Sequence, residues 1–164
     1  MAKEIERKFL VRSDAYKQGG RRKYVKQGYL CFEAERTVRV RVTEEEGVRR
    51  GFLTVKGKNK GIERTEYEYE IAAEDAEEMI EGLVESGTVI EKWRWTVEEK
   101  GRTWEVDEFK GRHEGLVIAE VELKNADEEV ALPEWVGEEV SGDARYYNSN
   151  LAKSSKCGWT MSSG

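Results

Sequence analysis

The stretch Lys3-Glu4-Ile5-Glu6-Arg7-Lys8-Phe9-Leu10-Val11 decides how the rest of the chain is read. As a β-strand with a period of two, it puts Glu4, Glu6 and Lys8 on one face, alternating with Ile5 and Phe9. Two carboxylates and an ammonium side by side make a poor core and an unusual surface. The same alternation recurs downstream. Arg39 and Arg41 alternate with Val38, Val40 and Val42; Glu66, Glu68 and Glu70 with Tyr67, Tyr69 and Ile71; Lys92 and Arg94 with Trp93 and Trp95. Glu105 and Asp107 alternate with Trp104 and Val106, and Glu120 and Glu122 with Ala119, Val121 and Leu123.

Working outward, strands are predicted at 3–12, 23–33, 36–44, 48–57, 62–71, 88–98, 102–109 and 115–124, separated by glycine-bearing turns. One amphipathic helix is predicted over 74–85, where Ala76, Met79, Ile80, Leu83 and Val84 recur at helical spacing. A shorter helix is predicted over Glu128–Ala131, capped by Asn125 or Asp127, and a helical turn over Ser13–Gln18. Gly57-Lys-Asn-Lys-Gly61 lacks the Ser/Thr and the helix of a phosphate loop and reads as a hairpin connection. The Ser- and Gly-rich residues 153–164 read as a flexible tail after one domain spanning 1–152.

An open sheet of eight strands with charges in water would need a large apolar partner, and one full helix is too little. Closure into a barrel removes the edges and leaves an interior about large enough for one small ligand. The fold expected is therefore mainly β (α+β), a closed eight-stranded antiparallel barrel with a few flanking helices. If the charged faces converge, the interior is lined by acids and bases together. Such burial is costly unless the charges are paired, hydrated or bound to ions, so a charged ligand with its metal is the expected occupant. The tryptophans then belong to the outer packing.

The composition narrows the function. The 164 residues carry 38% charged and 38% hydrophobic side chains, with seven Tyr, five Trp, four Phe and one Pro, a globular rather than disordered mixture. A net charge of −6 gives no overall electrostatic footprint for nucleic acid or membrane. Cys31 and Cys157 without a CxxC read as reduced thiols, and no stretch has the length or apolarity of a membrane span or signal peptide. A cytoplasmic location is expected. His113, the only histidine, reads as an exposed loop residue. Oligomeric state is left open, a homodimer included.

The chain resembles the CYTH domain family, also called the triphosphate tunnel metalloenzymes. The leading motif ExExK stands as Glu4-Ile-Glu6-Arg-Lys8. It is followed by Gln27-Gly-Tyr29, Thr37-Val-Arg39-Val-Arg41, Leu53-Thr-Val-Lys56, Arg64-Thr-Glu66-Tyr-Glu68, Lys92-Trp-Arg94, Trp104-Glu-Val-Asp107, Ala119-Glu120-Val-Glu122 and Gly142-Asp-Ala-Arg145-Tyr-Tyr-Asn148. The resemblance implies a triphosphate substrate and Mg²⁺ or Mn²⁺. It assigns the anion to Lys8, Arg39, Arg41, Lys56, Lys92, Arg94 and Arg145, where Arg adds bidentate geometry. It assigns the metal to Glu4, Glu6, Glu120 and Glu122, with Glu66 and Glu68 for a second ion or the attacking water. Deprotonation of that water falls to Glu68, or to Tyr29 with its pKa lowered by Lys92, and Asp143 is a candidate to orient Arg145. Hydrolysis of inorganic tripolyphosphate to pyrophosphate and phosphate is the expected reaction. The alternatives are a class IV-type adenylate cyclase, a thiamine or nucleoside triphosphatase, and a non-catalytic polyphosphate or nucleotide binder.

Overall fold

The structure, a computed structural model, describes residues 3–153. Cys157 and the expected tail beyond Lys153 lie outside the described residues. Among the described residues nine strands form: β1 (Lys3–Val11), β2 (Arg21–Cys31), β3 (Arg36–Glu45), β4 (Val48–Gly57), β5 (Glu63–Ile71), β6 (Ile90–Glu99), β7 (Arg102–Phe109), β8 (Val117–Glu122) and β9 (Val136–Glu139). Their order is β5-β4-β3-β2-β6-β7-β8-β1-β9, and a further β1–β5 pairing closes the first eight into an antiparallel barrel. One edge of β1 pairs with β8 through Glu6–Leu10. Its other edge is divided between β5, at Lys3–Ile5, and β9, at Phe9 and Val11.

The strand registers keep parity around the ring. Lys8 stands opposite Glu120, Glu120 opposite Glu105, Asp107 opposite Arg94, Lys23 opposite Arg94, Gln27 opposite Arg41, Arg39 opposite Thr54, and Thr54 opposite Glu68. Because paired residues share a face, the charged sets of the eight strands converge on one interior. The apolar sets face outward and are covered there. Phe9, Val97, Trp104, Val106, Val121 and Trp135 pack into one buried cluster with Tyr16. Two of the tryptophans, Trp104 and Trp135, are thus outer core, as expected, but they are covered by the 3₁₀ turn Ala15–Lys17 and the 124–135 loop rather than by long helices.

Helix α1 (Ala73–Leu83) covers β3 and β4 from outside with Ala76 and Ile80, joined by Val84 just beyond its end. Close approach requires small residues beneath it. A Cβ on Gly28 would meet Val84 at 2.6 Å, and one on Gly51 would meet Ala76 at 2.9 Å. Inside, the barrel's apolar residues gather at one end, where Tyr29, Ile90, Phe109 and Ile118 meet Tyr146, Leu151 and Ala152 from the C-terminal segment, which includes α2 (Asn148–Lys153).

Three local expectations are corrected. Glu128–Ala131 forms no helix. Instead of Asn125 or Asp127 capping a helix, the Glu128 carboxylate accepts from the backbone N–H groups of Lys124 and Asn125 and from Arg102, pinning an irregular loop. His113 is buried rather than exposed. Its ring stands against Phe109, and its Nε2 lies 2.7 Å from the Leu151 carbonyl oxygen. Burial lowers its pKa more than that contact raises it. Finally, β9 and α2 add a strand and a helix to the pattern read from sequence.

Candidate active site

The converging faces enclose a cavity of about 420 Å³, within the range of small-ligand sites. Its charges are segregated. The neighbouring strands β4, β3, β2 and β6 contribute Lys56, Arg39, Arg41, Lys23 and Arg94 to its lining, while β7, β8, β1 and β5 contribute Glu105, Glu120, Glu122, Glu4, Glu6, Glu66 and Glu68. A basic half-wall therefore faces an acidic half-wall. Lys8 on β1 and Arg64 on β5 are the cations within the acidic half.

Ion pairs hold the two halves together. Lys56 Nζ donates to Glu4 Oε2 at 3.2 Å and lies 3.8 Å from Glu66. Lys8 and Arg94 each lie 3.9 Å from Glu120. Burial raises the Glu120 pKa, but Lys8 and Arg94 outweigh it and bring the group down to about 2. Arg39 donates to Thr54 Oγ1 at 3.3 Å, and Thr54 donates on to Glu68 Oε1 at 2.8 Å. Arg41 donates from Nε to Gln27 Oε1 at 2.9 Å and, among the described residues, holds no carboxylate. Burial, reinforced by the repulsion of Arg39 and Arg94, brings its pKa down to about 9. The buried Nε of Arg39 has no hydrogen-bond partner among the described residues. Both arginines thus keep donor capacity that the fold itself does not use.

Not every predicted residue reaches the cavity. Lys92 shares the interior face of β6 with Arg94 but is fully buried and outside the cavity lining, donating to Asp107 Oδ2 at 2.7 Å. Arg94 holds the same carboxylate through both Nε and Nη2. Burial acts to raise the Asp107 pKa, but Arg94 and Lys92 hold it well below the ordinary range. Burial and the nearby Arg94 and Arg41 lower Lys92 to about 7 despite Asp107. The hydroxyl-bearing Tyr29 lines the cavity, but it packs against Phe32 and forms no hydrogen bond with Lys92. Arg145 lies outside the cavity lining with its side chain 67% exposed, gripped by Asp143 as expected.

The acidic wall suits a cation. Glu6 has its pKa raised well above the ordinary carboxylate value by burial and then by Glu120 and Glu4, against the pull of Lys8. Glu122 is raised by burial and by Glu4 and Glu105. Those acids outnumber their cations, and oxygen donors of this kind are what a hard divalent ion takes. Among the described residues no three acids, His or Cys stand close enough to make a finished metal site; Glu4 and Glu120 are engaged by Lys56, Lys8 and Arg94 instead. Lys23, Glu105 and Arg64 also line the cavity. Sequence reading passed over Lys23, because Arg21-Arg22-Lys23 looks like a surface run; its period-two alignment with Gln27 and Tyr29 was the available signal.

With this geometry in view, residues 2–150 match the CYTH domain. The chain belongs to the CYTH domain family. An inorganic triphosphatase of Acetivibrio thermocellus is 51% identical over 153 residues, 93% of this chain and 95% of that protein. An inorganic triphosphatase of Nitrosomonas europaea is 36% identical over 155 residues, 92% of this chain and 97% of that one. The crystal structure of the inorganic triphosphatase NE1496 superposes with a TM-score of 0.66 at 32% identity, covering 96% of this chain and 99% of that one. Among the described residues no helix is long and apolar enough to cross a membrane.

Proposed function

We propose that this CYTH protein hydrolyses inorganic tripolyphosphate to pyrophosphate and phosphate inside the barrel, with Mg²⁺ or Mn²⁺. The observation that carries the reading is the division of one cavity into a basic and an acidic half-wall. The names of the two relatives support the substrate class, and membership of the family implies a divalent metal.

In this reading the anion lies along Arg39, Arg41, Lys56, Arg94 and Lys8, whose charges orient it and offset its own. Glu4, Glu6, Glu120 and Glu122 hold the metal, which, when bound, neutralises charge on the phosphoryl oxygens. Lys92 acts through its neighbours: with Asp107 it fixes the Arg94 guanidinium. Glu68, held by Thr54 and partly open to solvent, accepts the proton of the attacking water. The water oxygen bonds to the terminal phosphorus, the bond to the bridging oxygen breaks, and pyrophosphate leaves with that electron pair. Glu66 supports Glu68 from the same strand face.

The test is phosphate release from tripolyphosphate, ATP and thiamine triphosphate, each with Mg²⁺ and with EDTA. The expected result is the highest kcat/KM for tripolyphosphate, abolished by EDTA. Preferential conversion of ATP, or EDTA-insensitive turnover, contradicts it.

A further inference from the structure

The cations of the basic half-wall differ in what they hold. Arg39, Lys56, Lys92 and Arg94 each bridge a carboxylate, and Arg41 donates to Gln27 instead. Among the described residues Lys23 makes neither an ion pair nor a side-chain hydrogen bond, yet it lines the cavity. It stands across from Arg94. On β2 it is six residues from Tyr29, about 20 Å along an extended strand, and so lies away from the apolar end where Tyr29 packs.

Burial and the repulsion of Arg94 and Arg41 lower the Lys23 pKa against the weaker attraction of Glu105 and Glu45. An ammonium set beside two guanidinium groups with no acid of its own is unfavourable in the empty barrel. A half-buried lysine elsewhere on a strand would turn its amine to water. Here the strand's parity holds it toward the cavity, extending the row of Arg41 and Arg94.

We propose that Lys23 determines substrate length, taking the phosphoryl group of the triphosphate farthest from Tyr29, the group that a pyrophosphate seated on Arg39 and Arg41 does not have. The inference rests on the tripolyphosphatase reading and adds to it a residue that discriminates three phosphoryl groups from two.

The test compares wild type, Lys23→Met and Lys23→Arg in two ways: KM and kcat for tripolyphosphate with pyrophosphate as competitive inhibitor, and calorimetric binding of both anions without turnover. Lys23→Met is expected to raise KM and Kd for tripolyphosphate about tenfold, with the inhibition constant and Kd of pyrophosphate moving less than twofold. Lys23→Arg, which keeps the charge, is expected to restore most of the loss. Equal weakening of both anions would mean a general field effect and overturns the assignment, as does no change in either. If wild type releases no phosphate from tripolyphosphate, the functional reading fails, while the binding comparison still decides the role of Lys23.

Discussion

Arg94 holds Asp107 with two hydrogen bonds, Nε to Oδ1 at 2.7 Å and Nη2 to Oδ2 at 2.9 Å, inside the barrel wall. The Lys92 ammonium reaches Oδ2 of the same carboxylate. One acid thus neutralises two buried cations, Arg94 in the cavity lining and Lys92 just outside it. Asp107→Asn leaves both cations short of a counter-charge with Arg41 nearby. Breaking a buried pair by removing one partner costs about 3–5 kcal/mol, and urea denaturation of the variant is expected to show a loss of that size.

The same triad makes stability depend on pH. Lys92, near 7 in the folded protein and near 10.5 when unfolded, binds fewer protons folded than unfolded between those values. Stability therefore rises with pH across that window. Between pH 7 and 9 the gain is about 2 kcal/mol, and Lys92→Met should remove most of it. Above that range Arg41 begins to titrate, and Tyr16 and Tyr24, raised by burial and then by hydrogen bonds to Glu108 and Glu91, act in the opposite direction. Unfolding free energies at the two pH values, compared between the proteins, check this.

Acid works on the other half-wall. Glu120 is lowered from 4.5 to about 2, so its contribution is complete above pH 4.5 and disappears as pH falls through 2. That contribution is on the order of 3 kcal/mol. In metal-free protein, Glu120→Gln should flatten the acid limb of the stability profile; an unchanged limb would mean that Lys8 and Arg94 do not hold this carboxylate in solution.

The proton acceptor can be separated from its neighbours by kinetics. Glu68→Gln is expected to lower kcat for tripolyphosphate 100-fold or more with little change in KM, the size of effect of losing a general base. Tyr29→Phe should keep kcat within about threefold, since Tyr29 makes no hydrogen bond to Lys92 and packs against Phe32. The reverse pattern would transfer the role to Tyr29.

Most of the barrel was legible because each strand carries its own parity signal, and because the charged faces had no plausible solvent role in a chain with one long helix. Closure needed no tertiary information beyond that count. The features that escaped depend on contacts distant in sequence. β9 is four residues whose place is set by the far end of β1. α2, with the weak helix formers Asn148-Ser-Asn150, is fastened by burying Leu151 and Ala152. His113 could not be placed without the Leu151 carbonyl it meets. In the site, Glu4, Glu6, Lys8, Arg39, Arg41 and Glu120 were readable from parity, whereas the withdrawal of Lys92 from the cavity lining to Asp107 and of Arg145 to the surface depends on which carboxylate each one finds.

The most direct measurement is a crystal structure of the protein soaked with tripolyphosphate and Mg²⁺. Phosphoryl oxygens against Arg39 and Arg41, with the metal between the anion and Glu4, Glu6, Glu120 and Glu122, is the arrangement predicted. An anion bound on the outer surface, with the interior holding only water, would contradict it.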